Sequence, residues 1–410
     1  MRIAVTSFGS EGDIRPFVAL TRALRRAGHD AFLCAAEIFR ERADQAGIPL
    51  ASTGALRDED SFRAGLEQVM REPNPLKSGK LIFDVAGKEL LGRLQPVLDA
   101  TRDVDLVVHH MIDVAGFAAA LVHGKRRVSA SLAPGIWNNR RVLANGRSLG
   151  TVLNLALGAV MRKLFPFITD RAFRPVIAAA GLPGPRKNII LEAAESPLLN
   201  FLAVSPSMIP PDPRWSPSHR QTGYWYLDLP EYQPPEELRA FVAGGEPPLV
   251  IGFGSMAGVD ARHQTEVIAG AVERLGRRAV LLSGWAELGQ GALPPGIHLA
   301  GHVPHDWLFP RASVVVHHGG AGTTAAVARA GVPHAIVWHM GDQPTWASLV
   351  KRRGLGPKPL HHQKLSVERL AALIAAADQP HHREAARAMS ERIRAEDGVG
   401  EAVRAIGEVL

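Results

Sequence analysis

A single cysteine, Cys34, stands among 410 residues, which excludes an intrachain disulfide and fits a reducing compartment. No window holds the roughly 20 apolar residues needed to cross a bilayer. The nearest, residues 149–168, is interrupted by Asn154, Arg162 and Lys163 and reads as a buried or interfacial helix. The opening apolar run is too short for a secretory signal, so the expected location is the cytoplasm. A long basic stripe with interleaved aromatics is also missing. The net charge of +7 comes from short clusters, Arg25-Arg26, Lys125-Arg126-Arg127, Arg277-Arg278 and Lys351-Arg352-Arg353, near the ends of periodic segments. Nucleic acid is therefore not an expected partner, whereas attraction to anionic substrates or to an anionic membrane surface is compatible with the charge. Metal-ligand spacing is absent as well. His361-His362 and His381-His382 lack further ligands in register, and Asp103-Val104-Asp105 opens a strand far in sequence from any anion-binding loop. No metal and no resident cofactor is expected.

What is present is the composition of a folded protein, with 46% hydrophobic and 21% charged residues. The length exceeds what one core sustains and predicts two domains of roughly 200 residues each. Residues 2–8, 30–35, 105–110 and 127–130 are apolar runs, separated by helical spacing over 14–27 and 115–122. This rhythm predicts a parallel sheet covered by helices. From 182 to 248 prolines recur at 183, 185, 197, 206, 210, 211, 213, 217, 230, 234, 235, 247 and 248, which argues for a boundary with an extended linker. The alternation resumes with strands at 249–253, 279–282, 297–300, 314–317 and 334–337. The expected division is a first domain over 1–225 with its Pro-rich linker from about 205, a second over 226–390, and a final helix over 391–410 that can pack back on the first. The first strand of each half ends in the same tripeptide, Phe8-Gly9-Ser10 and Phe253-Gly254-Ser255. In open α/β sheets ligands bind at such strand ends, so the expected fold is two facing Rossmann-like α/β domains with an interdomain cleft.

The strongest chemical signal is His317-His318-Gly319-Gly320-Ala321-Gly322-Thr323-Thr324, between a strand and a helix. Glycines let backbone N–H groups approach a ligand, and the following helix offers its positive end, which makes an anion cradle. The loop has neither the Gly-Lys-Ser/Thr ending of a P-loop nor the full spacing of a dinucleotide fingerprint, so ATP hydrolysis and hydride transfer lose ground. About twenty residues on, Met340-Gly341-Asp342-Gln343-Pro344 sets a carboxylate beside a carboxamide, donors and acceptors suited to adjacent sugar hydroxyls.

The order Val303-Pro304-His305-Asp306-Trp307-Leu308-Phe309-Pro310, the His-His-Gly-Gly-Ala-Gly-Thr-Thr loop, Gly331-Val332-Pro333 and Gly341-Asp342-Gln343-Pro344 resembles the donor-binding half of family 1 glycosyltransferases of the GT-B fold. It is most similar to the branch of sterol glucosyltransferases and vancomycin-type antibiotic glycosyltransferases. Gly9-Ser10-Glu11-Gly12-Asp13-Ile14-Arg15-Pro16 is similar to that branch's Gly-Ser-Arg-Gly-Asp-x-x-Pro segment.

The resemblance implies an acceptor-binding first domain, a nucleotide-sugar-binding second domain, and a hexose donor such as UDP-glucose or another UDP- or TDP-hexose. It assigns His318, with the backbone of Gly320, Ala321, Gly322 and Thr323, to the donor phosphates, and Ser255 to the diphosphate. Val303 and Trp307 would flank the base, and Asp342 and Gln343 would hold the sugar. Trp338 stands where proline is common and His334 where Gln or Thr is usual, so a reshaped sugar pocket is expected.

Asp13 matches the family position for the catalytic base, which takes the acceptor's proton. The alternative is a cap for a helix starting at Ile14. His109-His110 is the backup base or acceptor contact, and Ser10, Trp137 and Phe165 are further acceptor-side candidates. One base and no second carboxylate nucleophile imply a single displacement with inversion, onto a hydrophobic acceptor such as a sterol, terpenoid, polyketide or macrolide, flavonoid or lipid. Two other readings remain open, an epimerase or hydrolase of sugar nucleotides and a non-catalytic sugar-nucleotide-binding protein.

Overall fold

The computed structural model describes residues 1–54, 65, 67–69, 72, 74–134, 139, 142–143, 145–183, 188–228, 232–254, 260–284, 288–291 and 293–410. The chain forms two compact units, Met1–Leu229 with Glu396–Leu410, and Pro230–Ala395.

Unit 1 is built on seven parallel strands, β1 (Arg2–Thr6), β2 (Asp30–Ala35), β3 (Leu50–Ser52), β4 (Leu106–His110), β5 (Arg126–Ser131), β6 (Leu199–Leu202) and β7 (His219–Gln221). Their order is β3-β2-β1-β4-β5-β6-β7, so the winding reverses between β1 and β4. β4 is buried at every residue, as expected of a central parallel strand covered on both faces. The helices are α1 (Glu11–Arg26), α2 (Arg40–Ala46), α3 (Pro75–Thr101), α4 (Val114–Val122), α5 (Thr151–Ala179) and α6 (Ile189–Ala194). Ile14, Phe17, Val18, Leu20 and Leu24 of α1 bury one face of the sheet, together with Ala402, Ala405 and Ile406 of the helix Gly398–Val409. The other face is covered by α3, α4, α5 and α6 through Leu90, Leu94, Phe117, Phe173 and Ile190. α3 and α5 touch at Gly87, where a Cβ would lie 2.2 Å from the Ala172 carbonyl oxygen.

The Pro-rich stretch 182–248, read from sequence as an extended linker, contains the two strands β6 and β7. β6 is an interior strand between β5 and β7, because the prolines flank Leu199–Leu202 and none interrupts it. Trp225 lies in the unit 1 core, edge-on to Phe17 and Phe201 at 5.7 and 5.9 Å, with its N–H donated to the Thr222 hydroxyl.

Unit 2 has six parallel strands, β8 (Leu249–Gly252), β9 (Ala279–Leu282), β10 (Ile297–Ala300), β11 (Val314–His317), β12 (His334–Trp338) and β13 (Leu360–His361). The order β10-β9-β8-β11-β12-β13 reverses between β8 and β11. Its helices are α7 (Glu236–Ala243), α8 (Ala261–Leu275), α9 (His305–Leu308), α10 (Ala321–Ala330), α11 (Gln343–Arg352), α12 (Val367–Ala377) and α13 (Pro380–Arg394), and Gly398–Val409 is α14. α14 starts on Asp397, whose carboxylate accepts the Gly400 N–H at 2.9 Å. Beside it the Glu396 carboxylate accepts the hydroxyls of Ser205 and Ser207 at 2.7 and 3.1 Å, fixing the returning chain to unit 1.

Candidate active site

Both switch points carry a loop of small residues, and each loop is arranged around one functional side chain. In unit 1 the chain leaves β1 through Phe8-Gly9-Ser10 and enters α1 at Glu11, three residues earlier than the periodicity predicts. Ser10 is therefore the N-cap and Asp13 the third helical residue, which corrects the reading of Asp13 as the cap itself. The Asp13 carboxylate reaches back to accept the Ser10 backbone N–H at 2.8 Å and the Ser10 hydroxyl at 3.0 Å through one oxygen, Oδ2. Gly9 has φ +125°, and a Cβ there would fall 2.3 Å from Asp13 Oδ2, so the carboxylate occupies the space that the glycine vacates. Burial raises the Asp13 pKa above the ordinary carboxylate value, and the two bonds from Ser10 oppose the rise. A half-buried carboxylate with a raised pKa is a better proton acceptor than a free one.

His110 ends β4 and packs against Phe17 at 5.4 Å, with Nδ1 buried and unpartnered. Burial lowers its pKa to about 4 and that of His109 to about 3, so both are neutral near pH 7. His109 faces inward, with Nδ1 3.2 Å from the His110 carbonyl oxygen and the ring against Phe117. Arg93, which the sequence did not single out, is buried behind the loop and donates to the Ser7 carbonyl at 3.0 Å and the Thr53 hydroxyl at 2.7 Å. Phe165 is half-buried in the helical layer, edge-on to Phe83 at 5.8 Å. Trp137 lies outside the described residues, as does Ser255 in unit 2.

In unit 2 the helical spacing predicts α10 from Ala325, but the helix begins at Ala321 with Gly320 as N-cap. Ala321, Gly322 and Thr323 therefore form its first turn, where backbone N–H groups have no intrahelical acceptor. His318 sits directly before them. A Cβ on Gly254 would lie 2.9 Å from His318 Cε1, and one on Gly320 would lie 2.4 Å from Nε2. The imidazole is thus clasped between two glycines, one from the loop after β8 and one from the loop after β11. It is buried, its Nδ1 has no partner, and burial lowers its pKa to about 4. A neutral imidazole beside a helix N-terminus supplies one N–H donor to an anion without a competing counter-charge.

His317 points the other way. Its Nδ1 accepts the Gly319 N–H at 3.1 Å, which places its proton on Nε2, the donor to His334 Nδ1 at 3.0 Å. Burial holds both rings neutral, His334 near pKa 3 and His317 well below its ordinary value. The pair fixes the backbone on which His318 stands.

The Met340–Gln343 segment is divided between structure and access. Gln343 is buried, and its side-chain Oε1 accepts the backbone N–H groups of His339 and Met340 at 2.7 and 3.1 Å. Asp342 is exposed, with Oδ2 accepting the Trp346 indole N–H at 2.7 Å. Next to them His339, the residue after Trp338, is buried with both ring nitrogens unpartnered, stacked on His362 at 4.7 Å and edge-on to Phe253. Val303 is buried and Trp307 half-buried in one apolar cluster. The Arg311 guanidinium lies 4.7 Å over the indole, and a cavity of about 540 Å³ opens beside it, lined by Tyr232, Gln233, Pro234 and Arg239.

Known proteins resemble the chain over its whole length. Residues 3–98 match the glycosyltransferase family 28 N-terminal domain, and residues 279–409 match the erythromycin biosynthesis protein CIII-like C-terminal domain. The chain is 32% identical over 430 aligned positions to the O-mycaminosyltylonolide 6-deoxyallosyltransferase of Streptomyces fradiae, covering 100% of this chain and 97% of that protein. It is 29% identical to the sterol 3-beta-glucosyltransferase UGT80A2 of Arabidopsis thaliana, covering 99% of this chain and 65% of that protein. Among solved structures, the glycosyltransferase of kitacinnamycin superposes with a TM-score of 0.73 at 19% identity, over 100% of this chain and 99% of that one. The Streptomyces sp. SF2575 glycosyltransferase SsfS6, complexed with thymidine diphosphate, gives 0.66 at 23% identity over 100% and 99%.

Proposed function

Given that the chain belongs to the GT-B glycosyltransferases that include macrolide and sterol transferases, we propose that it moves a hexose from a nucleoside diphosphate sugar to a hydroxyl of a hydrophobic small molecule, with inversion. The observation that carries this reading is His318, a neutral donor clasped by Gly254 and Gly320 at the open N-terminus of α10. A diphosphate leaving group needs N–H donors at the moment its charge develops, and this loop holds them in place beforehand. The acceptor oxygen attacks the anomeric carbon as the bond to the β-phosphate oxygen breaks, and the hydroxyl proton passes to the Asp13 carboxylate. The diphosphate departs onto His318 and the N–H groups of Ala321, Gly322 and Thr323, and Asp342 orients the sugar. No divalent ion takes part in this scheme, and the reaction belongs to the cytoplasm.

UDP-glucose is the first donor to try, followed by TDP-hexoses. The relatives' names, a 6-deoxyallosyl transfer to O-mycaminosyltylonolide and a 3-beta-glucosylation of sterol, frame the acceptor panel. The test is nucleotide release measured over donors crossed with sterols, macrolides and phenols, with and without chelator. Release that requires both donor and acceptor and survives chelation is expected. Equal release without any acceptor would assign the protein to sugar-nucleotide hydrolysis instead.

A further inference from the structure

Helix α5 carries an apolar face that the transfer reaction leaves unused. Against the sequence reading that no window suffices, it alone among the described residues is long and apolar enough, by length and composition, to cross a membrane, yet it is part of unit 1. Its second half is anchored. Ala172, Phe173, Val176 and Ile177 are buried against α3, α4 and α6, and the Asp170 carboxylate accepts the backbone N–H groups of Asn188 and Ile189 at 2.8 and 2.9 Å. Its first half projects a stripe. Leu153, Leu157, Val160, Leu164 and Phe167 recur at helical spacing on one face, flanked by Val152 and Met161. Phe167 and Val152 are each 79% exposed, and none of the seven is less than 41% exposed. The stripe spans about 22 Å at the usual helical rise.

We propose that this face of α5 docks on the surface of an anionic phospholipid membrane, with the helix lying in the interface and not across it. Charge selects that occupant. The exposed ionisable residues of the helix are Lys163, Arg171 and Arg174, all basic, and its one acidic residue, Asp170, is turned into the core. Arg162 is half-buried and paired with Glu195 at 3.3 Å. An apolar stripe on a helix whose own exposed charges are all cations inserts its side chains among acyl chains while the cations meet lipid phosphates. A second copy of the chain would bring the same sign of charge, at a net +7, to the same surface. Spanning is opposed by the bonds that tie Asp170 to Asn188 and Ile189 and by the burial of Phe173 and Val176 in unit 1.

The experiment is vesicle flotation of the full chain, in phosphatidylcholine alone and in phosphatidylcholine with phosphatidylglycerol. Binding to the anionic vesicles, reduced by high salt, is expected, together with at least a tenfold loss of the bound fraction in Leu164→Gln/Phe167→Gln. Cys34 is buried, so Phe167→Cys offers a single reactive thiol for an environment-sensitive fluorophore, which should shift blue on anionic vesicles. That second variant decides the question if the double one does not fold. An absence of flotation, an unshifted label, or a soluble dimer that Leu164→Gln/Phe167→Gln dissociates would overturn the proposal. Transfer activity measured on a freely soluble acceptor is independent of each of these results.

Discussion

In unit 1 the loop after the central strand presents a carboxylate held by its own helix cap; in unit 2 the equivalent loops present an imidazole held between two glycines. The strand orders around the two switch points match, as does the Phe-Gly-Ser tripeptide after β1 and β8. What differs is the kind of group each site stabilises. Unit 1 raises the proton affinity of Asp13 by burying it, whereas unit 2 lowers that of His318 by the same means. Desolvation always favours the neutral form, so burial makes an acid side chain a readier base and keeps a basic one uncharged. One sheet end is thereby suited to accept a proton and the other to donate hydrogen bonds.

The sharpest way to separate the two roles is Asp13→Asn, which keeps the shape at the third helical position and removes the base. Turnover is expected to fall by about 10²-fold or more with donor affinity unchanged, and the wild-type product from an α-linked donor should be β by its anomeric proton signal. Near wild-type turnover or an α-product would break the division of labour. Next in size is the cradle. His318→Ala should reduce kcat/KM for the donor by about tenfold or more, on the order of 1.4 kcal/mol. Gly320→Ala should mimic it, because Gly320 has an ordinary φ of −64° and the atoms nearest the new methyl group are those of the imidazole. A Gly320→Ala enzyme with unchanged donor kinetics would remove the clasp from the mechanism.

A smaller effect concerns the support beneath it. His334→Leu leaves the His317 N–H without its acceptor, and a loss of about 1–3 kcal/mol in unfolding free energy is expected from chemical denaturation. The mildest is acid sensitivity. Unfolded imidazoles take up protons near 6.5, while His318 and His362 do so near 4 and His334 near 3 in the folded chain. Stability is therefore full above 6.5 and declines as pH falls from there toward 4. His317 and His339 add to this in unit 2, against His109 and His110 in unit 1, so amide exchange at pH 5 should accelerate more in unit 2. Equal acceleration would mean that the histidines titrate as freely in both.

Apart from the short β3, β6, β7 and β13, the strands of both sheets were legible from apolar runs, because a central parallel strand is buried on both faces and reads as continuous hydrophobicity. The helix starts were not. α1 and α10 each begin before their apolar spacing does, since first-turn residues face the ligand side and carry small or polar groups. The boundary, expected at 225/226, falls at 229/230, but proline density concealed β6 and β7. It marks turns, and the turns around Leu199–Leu202 and His219–Gln221 belong to the sheet that they interrupt in sequence. At the site, His318 and Asp13 could be found from their motifs. Gly254 and Gly320 as walls, Arg93 behind the first loop and the His339–His362 stack depend on contacts between segments that no local pattern records.

The return of α14 to unit 1 gives the protein an order of assembly. Ala402, Ala405 and Ile406 complete the core that α1 begins, so that core stays open on the ribosome until all of Pro230–Ala395 has been synthesised. Unit 2 is continuous in sequence and can close while the nascent chain is still growing. Unit 1, translated first, is finished last, and in the interval the faces of α1 and β1 that await α14 are the surfaces a chaperone would have to shield.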